Sequence, residues 1–196
     1  MGIVAAALAV FILAGLLLYF AGIYNSLVKL SRDIEKNWAN IDVFLKQRHD
    51  EIRKLVQVCE GYMKYERETL EKITGLRTEY LRAGSVGEKE KIESQVTGAL
   101  KTIFAVAENY PELKANSNFL QLQARISEIE NSIADRREFY NDSVNIYNIR
   151  IHQVPDMFVA GILGYGDKTL FEVSPEDRKD VDIKFGFPGE EGRKKD

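Results

Sequence analysis

Residues Asn40–Val56 read NIDVFLKQRHDEIRKLV, and the way this stretch is read decides the fold. Ile41, Leu45, Ile52 and Leu55 return at helical spacing, yet the polar cluster QRHDE interrupts them. A heptad written outward from here runs without a break from Leu27 to Tyr80. One seam position reads Leu27, Ile34, Ile41, Arg48, Leu55, Tyr62, Thr69, Leu76, and the other Ser31, Trp38, Leu45, Ile52, Cys59, Glu66, Ile73, Tyr80. Mostly apolar seams of this kind belong to a long helix that buries one stripe. In that frame Lys46, Gln47, His49 and Asp50 fall off the seam and only Arg48 lands on it.

No proline interrupts the run. Gly61 and Gly75 are its soft points, each worth about 1 kcal/mol against Ala. Two readings follow: a continuous first helix as far as Ala83-Gly84-Ser85-Val86-Gly87, or a break near Gly61. The unbroken phase favours continuity. A second helix is expected from about Glu88 to Asn109, ending ahead of Pro111, because the residue before a proline is pushed out of the helical region. Asn118 with Gln121 offers a capping box for a third helix, whose stripe runs from Phe119 to Val154 and stops at Pro155. No strand is expected before residue 170.

The N-terminal side differs in kind. Met1 to Val28 carries no charged residue, so all 27 Lys/Arg and 30 Asp/Glu fall in the remaining 168 positions. Ile3–Ile23, IVAAALAVFILAGLLLYFAGI, is 21 residues long. A helix of roughly 20 residues crosses a hydrocarbon core of about 30 Å. A cleaved signal peptide would need a basic start and a shorter apolar run, and neither is present. The lipid bilayer is therefore the expected partner of residues 3–23, with residues 1–24 as a transmembrane anchor. Lys29, Arg32 and Lys36 follow the span, which predicts an N-terminus outside and the remainder in the cytoplasm of a single-pass cell-membrane protein. A single cysteine, Cys59, suits that compartment.

Chemistry is scarce. His49 and His152 are the only histidines and neither stands in a Glu-x-x-His motif, so a di-iron bundle is not expected. One cysteine gives no zinc spacing. Gly161, Gly164 and Gly166 do not follow a strand in nucleotide-loop order. A net charge of −3 with both signs interspersed gives no nucleic-acid footprint. No enzyme activity and no cofactor are expected. The residues left as interaction candidates are Arg48 and Glu66 on the seam, Asp50 beside it, and Asn141, Asn145 and Asn148. Those three amides are expected to hydrogen-bond a neighbouring helix or a partner. Lys46–Asp50 and Asp50–Lys54 are expected as i,i+4 pairs. Beyond Pro155, PDMFVAGILGYGDKTLF is unexpectedly apolar. Met157, Phe158, Ile162 and Leu163 are expected to cap the bundle end, enter the bilayer interface or meet a partner. From residue 172 to 196 the chain turns charged and Pro/Gly-rich, a tail in which Val181, Ile183 and Phe185 are expected to touch the body.

From Trp38-Ala39-Asn40-Ile41-Asp42-Val43 onward the sequence resembles the LemA family of bacterial membrane proteins. The match runs through LKQRHD at Leu45–Asp50, Leu55–Val56, Gly61–Tyr62 and Glu66. It continues in AENYPELKANSNFLQLQ at Ala107–Gln123, RREFYNDSVNIYN at Arg136–Asn148, and FVAGILGY with LFEV. Phe44, Arg53 and Tyr65 depart from the family's usual Gln, Pro and His. The resemblance implies an all-α, antiparallel four-helix-type bundle behind an N-terminal anchor. Three long helices supply it if the first breaks near Gly61 or a short helix follows Pro155; residues 25–171 would form the body. Some relatives are associated with magnetosome membranes, and members are often encoded beside a membrane metalloprotease. The function implied is a scaffold or adaptor, self-associating or bound to an unidentified membrane or cytoplasmic protein. The alternative is a regulatory or signal-transducing subunit of a membrane enzyme such as a protease.

Overall fold

The structure is a computed structural model, and it describes residues 1–171. The expected tail contacts of Val181, Ile183 and Phe185 lie outside the described residues. Six helices make up the described chain: α1 (Gly2–Glu60), α2 (Arg67–Arg82), α3 (Val86–Ala107), α4 (Pro111–Lys114), α5 (Ser117–His152) and α6 (Asp156–Leu163). The expectation of an all-α chain holds, with no strand among the described residues.

Helix α1 is uninterrupted over 59 residues, so the apolar run and the body share one helix. It is the one helix among those described that is long and apolar enough to cross a membrane, and none of its most apolar window is buried.

The continuous reading past Gly61 is overturned. Helix α1 stops at Glu60, and the chain reverses before α2 begins at Arg67. The carbonyl of Cys59 accepts from the amides of both Tyr62 and Met63, which closes the last turn. Tyr62 and Glu66 are held there by the far end of the body. Asn116 donates to the Tyr62 hydroxyl at 3.1 Å, and the Tyr110 hydroxyl donates to Glu66 at 2.5 Å. Reversal lets the stripe Leu70, Ile73, Leu76 and Tyr80 turn back into the core, where all four are buried. A straight helix would have left that stripe in water.

Helix α3 starts within two residues of expectation, capped by a reciprocal box between Ser85 and Glu88. Helix α5 is capped not by Asn118 but by Asn116, whose side chain accepts from the amides of Asn118 and Phe119. The turn α4 uses up the linker after Pro111 and moves the boundary back to Asn116. Helix α6 follows Pro155 and ends at Gly164, whose φ of +69° is left-handed and suits glycine.

Side-chain pairings give the directions. Asn37 reaches the Phe139 carbonyl and Arg48 reaches Glu130, so α5 runs antiparallel to α1. Lys89 pairs with Asp42 and Thr97 with Arg48, so α3 runs parallel to α1. Two apolar cores result. One gathers Ile52, Leu55, Cys59, Ile73, Leu100 and Ile126 with their neighbours. The other gathers Ile23, Leu27, Ile41, Leu45, Tyr147 and Val159 with theirs.

Candidate functional site

Between those two cores lies a layer of polar side chains built around Arg48. The seam delivers Arg48 to the interior, where it is 1% exposed. One Nη donates to Glu93 Oε2 at 3.0 Å, and the other donates to Thr97 Oγ1 and Glu130 Oε1, each at 2.7 Å. Glu93 is fully buried on α3 and its second oxygen lies 2.7 Å from His49 Nε2. A carboxylate paired with Arg48 only accepts, so the imidazole donates this bond. The His49 ring lies over Tyr80 at 4.4 Å. His49 is itself buried although it stands off both heptad seams. Leu45, His49, Ile52 and Val56 follow a 4-3-4 rhythm of their own, which widens the buried face beyond the two heptad seams.

The layer continues to the edge of the body. The Tyr80 hydroxyl and Lys89 both donate to Asp42 Oδ1, at 2.7 and 2.6 Å, while Lys46 lies 2.8 Å from Oδ2. Lys89 also sits 4.9 Å above the Tyr80 ring, a cation–π contact. Partial burial would raise the Asp42 carboxyl, but the hydrogen bonds from Lys46, Lys89 and Tyr80 win and hold it well below the usual carboxylate range. Burial and the bond to Asp42 push the Tyr80 phenol upward. Four helices thus meet through α1 (Asp42, Arg48, His49), α2 (Tyr80), α3 (Lys89, Glu93, Thr97) and α5 (Glu130).

The expected pairs of Asp50 with Lys46 and Lys54 are replaced. Lys46 turns to Asp42 and Lys54 to Glu51, leaving Asp50 exposed outside the layer. Glu66 lies at the reversal after α1, away from Arg48, and the two do not meet. Cys59 is fully buried in an apolar core, which pushes its thiol up to about 12. Among the described residues no group of three metal-ligating side chains comes together.

The asparagines hold something other than a helix. Asn141 donates to the Phe171 carbonyl at 2.9 Å and accepts from the Phe171 amide at 2.7 Å. Asn148 grips Lys168 the same way, at 2.9 and 2.8 Å. The Tyr140 hydroxyl donates to the Thr169 carbonyl between them. The expected bond to a neighbouring helix is therefore corrected: these amides strap the chain's own segment 168–171 along α5. Asn145, pointing away, is exposed. Phe171 is 3% exposed, stacked on Trp38 at 6.1 Å and covered by the Arg137 guanidinium at 4.2 Å. Met157, Phe158, Ile162 and Leu163 all remain exposed on α6.

Glu93, Thr97, Glu130 and the burial of His49 escaped the sequence reading. The available signal was the spacing Glu93, Val96, Leu100, Ile103, Ala107, a 3-4-3-4 seam with a charge at its head.

Comparison with known proteins covers most of the chain. The chain is 31% identical over 168 residues to Protein LemA of Metamycoplasma hominis, covering 83% of this chain and 75% of that protein. It is 26% identical over 178 residues to Magnetosome protein MamQ 2 of Paramagnetospirillum magneticum and 21% identical to Magnetosome protein MamQ of Magnetospirillum gryphiswaldense. In both cases the match covers 78% of this chain but only 65% of the magnetosome protein, just under two thirds of its length. The sequence model of the LemA family matches residues 37–185, the region that holds the polar layer and the strap, and the chain belongs to the LemA family.

Proposed function

We propose that this protein is a membrane-anchored scaffold or adaptor that presents a four-helix bundle to protein partners and carries out no catalysis of its own. The observation that carries this reading is the continuity of α1. One 59-residue helix supplies both the exposed apolar span and a full face of the body, so the bundle is coupled to its anchor without a flexible joint. The polar layer supports the same reading, since Arg48 is engaged by Glu93, Thr97 and Glu130, and His49 by Glu93, within the bundle. Lys29, Arg32 and Lys36 after the span favour a cytoplasmic body in the cell membrane. The kinship with proteins named for the magnetosome fits a role in organising structures in the cell.

A second reading is favoured by the polar layer itself. A hydrogen-bonded layer between two apolar cores sets helix register, and an alternative register would let the bundle act as a regulatory subunit of a membrane enzyme such as a protease. Light scattering of the full chain in mild detergent separates the two. Large oligomers formed by the chain alone support the scaffold; a small species that grows only with a co-purified enzyme supports the regulator. For orientation, a cysteine placed at Lys64 should react with an impermeant maleimide in inside-out vesicles and not in right-side-out ones. The reverse pattern overturns the cytoplasmic assignment.

A further inference from the structure

We propose that the outward face of α6, formed by Met157, Phe158 and Ile162 with Leu163 at its end, lies in the interfacial layer of the bilayer as a second membrane contact beside the span. This rests on the membrane-anchor reading of residues 3–23.

Height is the first reason. The pairings Asn37 with Phe139 and Arg48 with Glu130 fix the antiparallel register of α1 and α5. Carried along both helices, that register brings Ile151, in the last turn of α5, level with the Asn25–Leu27 turn of α1. Helix α6 follows directly and packs on both α1 and α5. Its buried residues Val159 and Ala160 share a core with Ile23 and Leu27, and Ile23 is the last residue of the apolar run. The helix therefore sits at the point where α1 leaves the hydrocarbon.

Chemistry is the second reason. Asp156 is the one ionisable residue of α6, and it faces inward, where Arg150 Nε donates to it at 2.7 Å. What remains outside is uncharged: Phe158 is 58% exposed and Ile162 86%. Large apolar groups gathered on one fixed face mark a surface that is covered in use. The face cannot easily turn away, because Val159 and Ala160 on the opposite side are buried in the core and Asp156 is held by Arg150. Lipid is the occupant because the face lies beside the uncovered span: the described α1 side chains from Gly2 to Gly22 are all exposed. A short helix whose one carboxylate is turned inward and whose outer residues are apolar can lie at the headgroup boundary with its apolar face down.

The test uses the full chain with Cys59→Ala, reconstituted in phosphatidylcholine–phosphatidylglycerol vesicles. Single cysteines at positions 13, 64, 158 and 162 carry an environment-sensitive fluorophore, and helicity is verified for each. Labels at 158 and 162 should be quenched by shallow nitroxide lipids and protected from iodide; the label at 13 should respond to deep nitroxides and that at 64 to iodide. Iodide quenching at 158 and 162, with 13 still in lipid, overturns the interfacial helix and leaves the anchor standing. Protection at 158 and 162 from both quenchers shows a protein cover, such as a second copy, and also overturns it. Water at 13 removes the anchor reading and this one with it. In a chain with a native residue 158 side, Ile162→Glu should shift a label at Met157 toward iodide without detaching the protein; no shift contradicts the proposal.

Discussion

Arg48 on α1 donates to Glu93 on α3 across 3.0 Å, with both side chains essentially out of contact with water. Pairs of this kind add little to stability by themselves, since desolvation offsets the attraction. Removing one partner is another matter, because an uncompensated charge is left inside. The remaining groups of the layer sharpen that asymmetry, since Glu93 also serves His49 and Arg48 also serves Glu130.

Arg48→Ala and Glu93→Ala should each destabilise the body by about 3–5 kcal/mol. The double variant Arg48→Ala, Glu93→Ala should lose markedly less than the sum of the two single losses, because removing both members leaves neither facing the other's uncompensated charge. Chemical denaturation followed by circular dichroism in detergent checks this as a double-mutant cycle. Additive losses would show that the two side chains do not interact as described.

Asp42→Asn should lower stability at neutral pH by about 1.5–3 kcal/mol, the range for hydrogen bonds to a charged group. The folded-state carboxyl titrates well below its ordinary value, so the folded chain binds fewer protons than the unfolded one in acid. Its contribution is therefore complete above about pH 4, the unfolded range, and is lost as the pH falls toward the folded value. Stability curves of the native chain and the variant should converge in that direction. Curves that stay parallel down to the acid transition would contradict the assignment.

Much of this was legible in the sequence, and the gaps have physical causes. The apolar span, the helices flanking Pro111 and the short helix after Pro155 follow from hydropathy and proline placement. The reversal at Gly61 was hidden because Gly61–Glu66 takes up nearly one heptad, so the stripe of α2 returns in phase with that of α1. Arg48 could be placed on the seam, but its partners lie 45 and 82 residues away, and a seam position does not say which helix faces it. The asparagine stripe signalled hydrogen bonding correctly and its acceptor wrongly. Backbone of an extended segment satisfies a primary amide as well as a helix does, and periodicity carries no trace of it.

Cys59 should resist thiol reagents in the native protein. Its thiol is buried and pushed up to about 12, against roughly 8.5 for an unfolded cysteine. At pH 8 both the small thiolate fraction and the burial slow the reaction of the folded chain relative to the unfolded one. Disulfide-exchange kinetics with and without denaturant measure the ratio. Rapid labelling of the folded chain would show that the core beside the Gly61 reversal opens readily.

The strap makes a prediction in which adjacent asparagines behave differently. Asn141 and Asn148 each exchange two hydrogen bonds with the backbone, at Phe171 and Lys168, whereas Asn145 is exposed between them. Asn141→Ala and Asn148→Ala should speed hydrogen exchange at the Phe171 and Lys168 amides, respectively. Each should weaken segment docking by about 1–3 kcal/mol. Asn141→Ala should also change Trp38 fluorescence, because Phe171 stacks on that ring. Asn145→Ala should leave all three readouts unchanged. Equal effects at all three positions would mean that the amides act through helix propensity of α5 rather than through the strap. Since the strap follows directly on α6 and Gly164, releasing it also loosens the C-terminal hold on that helix, so the same variants report how firmly the apolar face is presented.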